Sequence, residues 1–161
     1  PTMYIPRTVQ NLTGITMEDV ADCESADTVL VEFFDWCEDY NFLGHNLPFD
    51  YKFLEYKGKY YGVDFSLKGR RQGIDTLNLC KKYMNFDSNR LKEVATIMGI
   101  PVDSTNGSFH RAGYDAYITK LIYDRFVCQY PKVLDVIIPK TLSQDESKYG
   151  KVTNNDTLEF S

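Results

Sequence analysis

The sequence has few of the residues that build metal-thiolate and disulfide sites. It contains only two histidines, His45 and His110, and four cysteines. The cysteines are widely separated, form no CxxC pair and have no histidine close by in sequence, which argues against a zinc site and against a disulfide framework. We therefore expect free, buried thiols at Cys23, Cys37, Cys80 and Cys128.

Long hydrophobic runs are also missing. No stretch of 18 or more consecutive apolar residues occurs, and residues 1–4 have neither a basic nor an apolar leader character, so nothing indicates a membrane span or secretion. We expect a soluble, cytoplasmic protein. A length of 161 residues, with 43% hydrophobic and 25% charged residues, suits a single domain with its own core.

The sequence has no excess of positive charge. A net charge of −5 argues against general electrostatic binding to nucleic acid. Residues 52–71, however, hold six lysines and arginines against only Glu55 and Asp64, with aromatic residues between them. Such a mixture suits a single nucleic-acid strand, because rings stack on bases for about 1–3 kcal/mol each. A solvated hairpin with a few core tyrosines is the plainer alternative, and both remain open.

Hydrophobic periodicity predicts an α/β chain with short strands that lead into helices. Residues 1–130 form the predicted domain, and residues 131–161 a C-terminal extension or linker. We expect Phe49, Phe53 and Leu54 in the core, and Ala116, Leu121, Ile122, Phe126 and Val127 on the buried side of the last helix. The predicted helices span 26–40, 49–56, 77–83, 90–98 and 112–130, the predicted strands lie within 42–46 and 73–77, and 104–108 is a predicted loop.

Two motifs carry the chemistry. Residues 44–54, Gly-His-Asn-Leu-Pro-Phe-Asp-Tyr-Lys-Phe-Leu, place Asp50 just after a predicted strand, and residues 110–116, His-Arg-Ala-Gly-Tyr-Asp-Ala, place His110 five residues before Asp115. In order and spacing they resemble the second and third motifs of the DEDD exonucleases, the group that includes the proofreading epsilon subunit of bacterial DNA polymerase III. The segments Leu-Thr-Gly-Ile-Thr at 12–16 and Asp-Thr-Leu at 75–77 fit the same family, so the resemblance covers about residues 1–127.

The resemblance implies a ribonuclease H-like fold, with a mixed sheet flanked by helices, and hydrolysis of phosphodiester bonds with two Mg²⁺ or Mn²⁺ ions. Carboxylates hold such ions about 3.5–4 Å apart. By resemblance, Asp50 and Asp115 bind the metals and His110 activates the attacking water, a task that suits an imidazole near neutral pH. Each residue alone has a plainer explanation, since acids often occupy the first turn of a helix.

Other site residues follow from the same resemblance. His45, Asn46, Phe49 and Lys52 are predicted to contact the substrate, which is the 3′ end of single-stranded DNA or RNA. A histidine at a strand end is also often a structural, hydrogen-bonded residue, so a direct catalytic role for His45 is not expected. Asp75 is expected to cap the helix that begins at Thr76.

The sequence departs from the family in one respect. The family has an Asp-x-Glu motif on its first strand, ahead of the segment that matches residues 12–16, and no such strand precedes that segment here. Asp22-Cys23-Glu24 has the right residues but follows that segment, and Asp156 and Glu159 have the wrong spacing. We therefore expect a piece of a longer protein, without the N-terminal strands and only weakly active by itself.

Three functions remain compatible with the sequence. The first is a 3′→5′ exonuclease of the proofreading or repair type. The second is a non-catalytic relative that binds single-stranded ends, although the presence of Asp50, His110 and Asp115 favours the enzyme. The third is a module that associates with a DNA polymerase through residues 131–161.

Overall fold

The computed structural model describes residues 3–37, 41–63, 73–102 and 109–131. Within these ranges the chain forms six α-helices and a two-stranded sheet, which confirms the expected α/β class. Strand β1 (Leu43–Gly44) lies between the second and third helices, and β2 (Ile74–Asp75) lies between the third and fourth. The helices are α1 (Arg7–Thr13), α2 (Ala26–Cys37), α3 (Leu47–Tyr61), α4 (Thr76–Tyr83), α5 (Leu91–Ile97) and α6 (Ala112–Gln129).

The two strands are parallel, with Leu43 opposite Ile74 and Gly44 opposite Asp75. Parallel neighbours need a crossover connection, and the segment that contains α3 provides it. Gly44 and Gly73 allow α3 to pack closely on this pair. A Cβ atom on Gly44 would lie 2.8 Å from Leu47 Cδ1, and one on Gly73 would collide with the Leu47 side chain and the Tyr51 hydroxyl.

The main core lies where α6 packs against α4 and α5. The spacing of Ile118, Ile122 and Phe126 puts them on one face of α6, and all three are fully buried. The facing helices contribute side chains that are equally inaccessible: Cys80, Val94 and Ala95. Burial of this kind contributes roughly 25 cal/mol per Å² of apolar surface removed from water, so these contacts stabilise the packing of α6 on α4 and α5.

The predicted buried side of α6 was partly wrong. Ile122 and Phe126 are buried as expected, whereas Leu121 and Val127 are only partly buried and Ala116 is exposed. The buried face instead includes Tyr114 and Thr119. Helix α6 is rotated about its axis relative to the prediction. Helices α4 and α5 cover the face centred on Ile118, and Ala116 lies on the side that lines a groove.

Helix α3 also differs from its prediction. It begins at Leu47 and continues to Tyr61, where Gly62 ends it with a left-handed conformation (φ 71°). The hairpin alternative for residues 52–71 is therefore wrong for residues 52–61, while 64–72 lie outside the described residues. Phe49 and Phe53 are not core residues, since they are 66% and 52% exposed.

Helix α1 was not predicted from the sequence. It has no buried residue. Its apolar side chains are only Val9 and Leu12, which are too few to show a helical period. The other predicted elements are confirmed with shifts at their ends: α2, α4, α5, β1 and β2. The predicted loop at 104–108 lies outside the described residues. So does nearly all of the predicted extension at 131–161, including Asp156 and Glu159. No helix within the described ranges has the length and hydrophobicity that crossing a bilayer requires.

None of the four cysteines forms a disulfide, as expected, but only Cys37 and Cys80 are buried, while Cys23 and Cys128 are exposed. Burial raises the pKa of the Cys80 thiol to about 11, and the negative charge of Asp75 adds to the shift. Because the thiolate is the reactive form, a buried thiol with a raised pKa reacts slowly.

Alkylation at neutral pH should therefore distinguish the four thiols. In the native protein, iodoacetamide should label Cys23 and Cys128 within minutes and leave Cys37 and Cys80 unmodified, as measured by mass spectrometry of the peptides. The same reaction in concentrated urea is the control and should label all four. Equal rates at Cys80 and Cys128 in the native protein would contradict the packing described here.

Candidate active site

A groove with a volume of about 1390 Å³ brings together the two sequence motifs. Residues of β1, α2 and α3 line it, together with the amino-terminal ends of α5 and α6. Asp50, His110 and Asp115 are all among its lining residues, although Asp50 is 60 and 65 positions away from the other two in sequence. His45 lines the groove as well.

The turn from β1 into α3 positions Asp50. Asn46 adopts a left-handed conformation (φ 75°), and its backbone N–H donates to Asp75 Oδ1 at 2.9 Å. Pro48 in the first turn suits a helix start, because its missing N–H would have no partner there. Asp50 then lies in the first turn of α3. Partial desolvation raises the pKa of the Asp50 carboxyl, and the negative charge of Asp75 raises it further.

Asp75 stabilises this turn from the neighbouring strand. Its Oδ1 accepts the backbone N–H of Leu77 at 3.0 Å, which caps α4, and it also accepts the N–H of Asn46. The predicted capping role of Asp75 is therefore confirmed. One carboxylate oxygen thus joins the start of α3 to the start of α4.

His45 connects three parts of the chain. Its Nδ1 lies 2.9 Å from the hydroxyl of the fully buried Thr76, and its Nε2 lies 2.8 Å from the backbone oxygen of Asn89. A carbonyl oxygen can only accept, so Nε2 carries a proton and donates to the backbone oxygen of Asn89. Thr76 Oγ1 is also 3.0 Å from the Gly44 carbonyl oxygen. Both ring nitrogens are engaged within the fold, as expected for a structural histidine; the predicted contact of His45 with substrate remains a prediction.

His110 and Asp115 are held together at the start of α6. The backbone N–H of His110 donates to both carboxylate oxygens of Asp115, at 3.3 and 3.2 Å. His110 has a positive φ of 73°, which is uncommon for residues other than glycine but is adopted by histidine, asparagine and aspartate more often than by most. Its ring is exposed and makes no hydrogen bond to any described residue. The side chain is therefore available to a ligand in the groove.

Three predicted site residues, Asn46, Phe49 and Lys52, do not line the groove. Asn46 is exposed at the N-cap of α3, and Phe49 and Lys52 are exposed on faces of α3 that do not line the groove. Asp22 and Glu24 are exposed and lie outside the groove, in line with their interpretation as a chance match.

Metal binding is supported only in part by these residues. Asp50 and Asp115 supply the hard carboxylate oxygens that Mg²⁺ and Mn²⁺ prefer. In the described parts of the chain, however, no group of three or more histidine, cysteine, aspartate or glutamate side chains is close enough to hold a metal ion. The described carboxylates therefore do not form a complete metal site.

The first turn of α5 adds charges that the sequence analysis missed. Arg90, Lys92 and Glu93 line the groove, and Arg90 Nη1 lies 3.7 Å from Glu93 Oε1. The two cations could neutralise a phosphate in the groove. Their only sequence signal is a short charged stretch at a predicted helix start, a pattern that also fits an ordinary solvated helix.

The fold and the two convergent motifs define the class of protein. Residues 1–123 match the model of the RNase T family, which is described as "Exonuclease". The chain therefore belongs to the exonuclease family of the DEDD group, and the expected ribonuclease H-like family relationship is confirmed.

The chain is also similar to DNA polymerases of one type. It is 35% identical over 136 residues to the DNA polymerase III PolC-type of Thermotoga maritima, which covers 83% of this chain and 9% of that protein. The corresponding protein of Staphylococcus haemolyticus is 31% identical over 157 residues, or 97% of this chain and 10% of the relative. The chain thus spans about a tenth of the length of these relatives.

Proposed function

We propose that this domain removes nucleotides from the 3′ end of a nucleic acid, as a metal-dependent 3′→5′ exonuclease of the proofreading or repair type. The observation that carries the proposal is the convergence of Asp50, His110 and Asp115 in one groove. The family match and the second and third motifs support the same conclusion.

Each residue has a distinct role in this proposal. Asp50 and Asp115 would each bind a divalent ion, Mg²⁺ or Mn²⁺, and such ions stabilise the negative charge on the attacking and leaving oxygens. His110 accepts the proton of the attacking water through its exposed ring, which has no competing hydrogen bond to a described residue. Arg90 and Lys92 hold the phosphate backbone from the α5 side.

In this proposal the site needs further carboxylates, and one edge of β1 is a candidate for the position from which they enter. In the described residues β1 pairs with β2 along one edge only, and Leu43 and Gly44 of β1 line the groove. An additional strand along the other edge of β1 would bring its side chains toward the groove that Asp50 and Asp115 line. We propose that a strand with an Asp-x-Glu motif completes the site in this way and that the chain by itself is only weakly active.

A DNA polymerase is the partner that the relatives favour. The similar proteins are named as DNA polymerase III, which supports DNA rather than RNA as the substrate and a proofreading role beside a polymerase. The predicted extension at residues 131–161 is a candidate for the connection to such a partner, and the predicted domain boundary near residue 130 remains part of this proposal.

The alternative is a non-catalytic module that binds single-stranded ends. The incomplete ligand set of the described residues is the observation that favours it. In that case the groove would bind DNA without cleaving it.

A direct assay separates the two functions. A 5′-labelled single-stranded DNA oligomer is incubated with Mn²⁺ and either the present chain or a longer form that carries an Asp-x-Glu strand. We expect the longer form to shorten the oligomer stepwise from its 3′ end and the present chain to do so far more slowly. A longer form that binds Mn²⁺ and DNA but leaves the oligomer intact would favour the binding module instead.

A further inference from the structure

Helix α3 has a row of exposed aromatic rings, most of which have no role in the proposed catalysis. The α3 aromatic stripe consists of Phe49, Phe53, Tyr56 and Tyr60, which are 66%, 52%, 64% and 68% exposed. They are four, three and four positions apart, so they share one face of the helix. Isolated apolar residues at a surface need no explanation, but a continuous row of large rings indicates a binding surface.

A lysine lies at the edge of the stripe. Lys57 Nζ is 5.8 Å from the ring centroid of Phe53, 6.0 Å from that of Tyr56 and 5.8 Å from that of Tyr60. The salt bridges of the described residues join Arg90 to Glu93 and Lys120 to Asp124, so none of them neutralises Lys57. The rings therefore hold an ammonium group whose charge is available to an anionic ligand.

The other edge of the stripe is also basic. Helical periodicity places Lys52 and Lys59 on the side of the stripe opposite Lys57, and Glu55 lies away from it. Cations on both edges disfavour an apolar protein partner, because burying an unpaired ammonium group is costly. A polyanion with flat, stackable groups fits both the rings and the charges, and single-stranded nucleic acid has both properties.

The stripe is continuous with the groove. Phe53 belongs to both, and Phe49 directly precedes Asp50 in the first turn of α3. From Phe49 to Tyr60 the helix rises about 16 Å, which is enough for several nucleotides. A strand whose 3′ end enters the groove could therefore extend along α3.

We propose that the α3 aromatic stripe is a stacking track for the single strand upstream of the 3′ end, with bases on Phe53, Tyr56 and Tyr60 and a phosphate on Lys57. The inference rests on the proposed function for the direction of the strand. It also explains how a chain with a net charge of −5 can bind a polyanion, since the contact is local and aromatic.

Binding measured without cleavage tests the track separately from the exonuclease activity. The ligands are a fluorescein-labelled oligo(dT) and an oligomer of the same length made of abasic sites, both in EDTA, and the readout is fluorescence anisotropy. Wild type should bind oligo(dT) more tightly than the abasic strand. The variant with Tyr56→Ala and Tyr60→Ala should bind oligo(dT) about tenfold or more weakly and lose most of its preference for bases.

Matched variants exclude a general loss of structure. Tyr56→Phe with Tyr60→Phe retains the rings and should bind like wild type, and Tyr117→Ala removes a 53% exposed tyrosine of α6 and should also have no effect. The slope of the logarithm of the binding constant against the logarithm of salt concentration reports the number of counterions released on binding. Lys57→Gln should lower that number by about one for both strands. Unchanged oligo(dT) binding in the double alanine variant would overturn the inference and leave a protein contact as the role of the stripe, even if the cleavage assay succeeds.

Discussion

Replacing His110 with asparagine should slow 3′-end cleavage by the longer form by about 10²–10⁴-fold, the usual contribution of a general base. The ring of His110 is exposed at the groove and free of hydrogen bonds to described residues, so removing it takes away a proton acceptor rather than a structural contact. Single-turnover cleavage of a 5′-labelled oligomer with Mn²⁺ measures the rate of the chemical step.

The choice of asparagine follows from the backbone. His110 has φ 73°, and asparagine tolerates this left-handed region much better than alanine does. An alanine variant could move the N–H that contacts Asp115, and its effect would then combine strain with the loss of the base. Tyr117→Ala on α6 serves as the control and should cleave at the wild-type rate. If His110→Asn retains full activity, another group deprotonates the water.

The position of the two motifs could be predicted from the sequence because each lies at a local structural transition. Asp50 follows a short apolar strand and a proline that suits a helix start, and Asp115 lies in the first turn of the longest helical pattern. The structure confirms both transitions, at β1–α3 and at the start of α6. Local chemistry determines these features, so one sequence is enough to locate them.

The convergence of these motifs could not be derived from local patterns. It depends on the parallel pairing of β1 with β2, and on the packing of α6 against α4 and α5. The sequence alone implied the convergence only through resemblance to a family. Arg90 and Lys92 were missed for the same reason, since only the tertiary fold shows that the first turn of α5 lines the groove.

Helices without a buried stripe were the hardest to predict. Helix α1 buries no residue and has only two apolar side chains, so it shows no contrast between an apolar and a polar face. In α3 the aromatic residues do recur at helical spacing, but the face they form is exposed rather than buried. Under the proposed stacking track, the exposed aromatic face of α3 would serve ligand contact, so it need not follow the pattern of the core.

The second large effect concerns the core. Replacing Ile122 with alanine should lower the free energy of unfolding by about 2–5 kcal/mol, because the side chain is fully buried between α6 and the helices that face it and its removal leaves a cavity. Domains of this size are typically stable by only about 5–15 kcal/mol. Urea unfolding followed by circular dichroism should therefore show a much lower midpoint.

Ile97→Ala in α5 provides a control with the same chemical change. Ile97 is 56% exposed, so its replacement should change the free energy of unfolding by about 0.5 kcal/mol or less. The comparison depends only on burial, since both variants delete the same atoms from a helix. Equal midpoints for the two variants would mean that α6 does not pack on α4 and α5 as described, and the groove that its amino-terminal end helps to form would then have no fixed support.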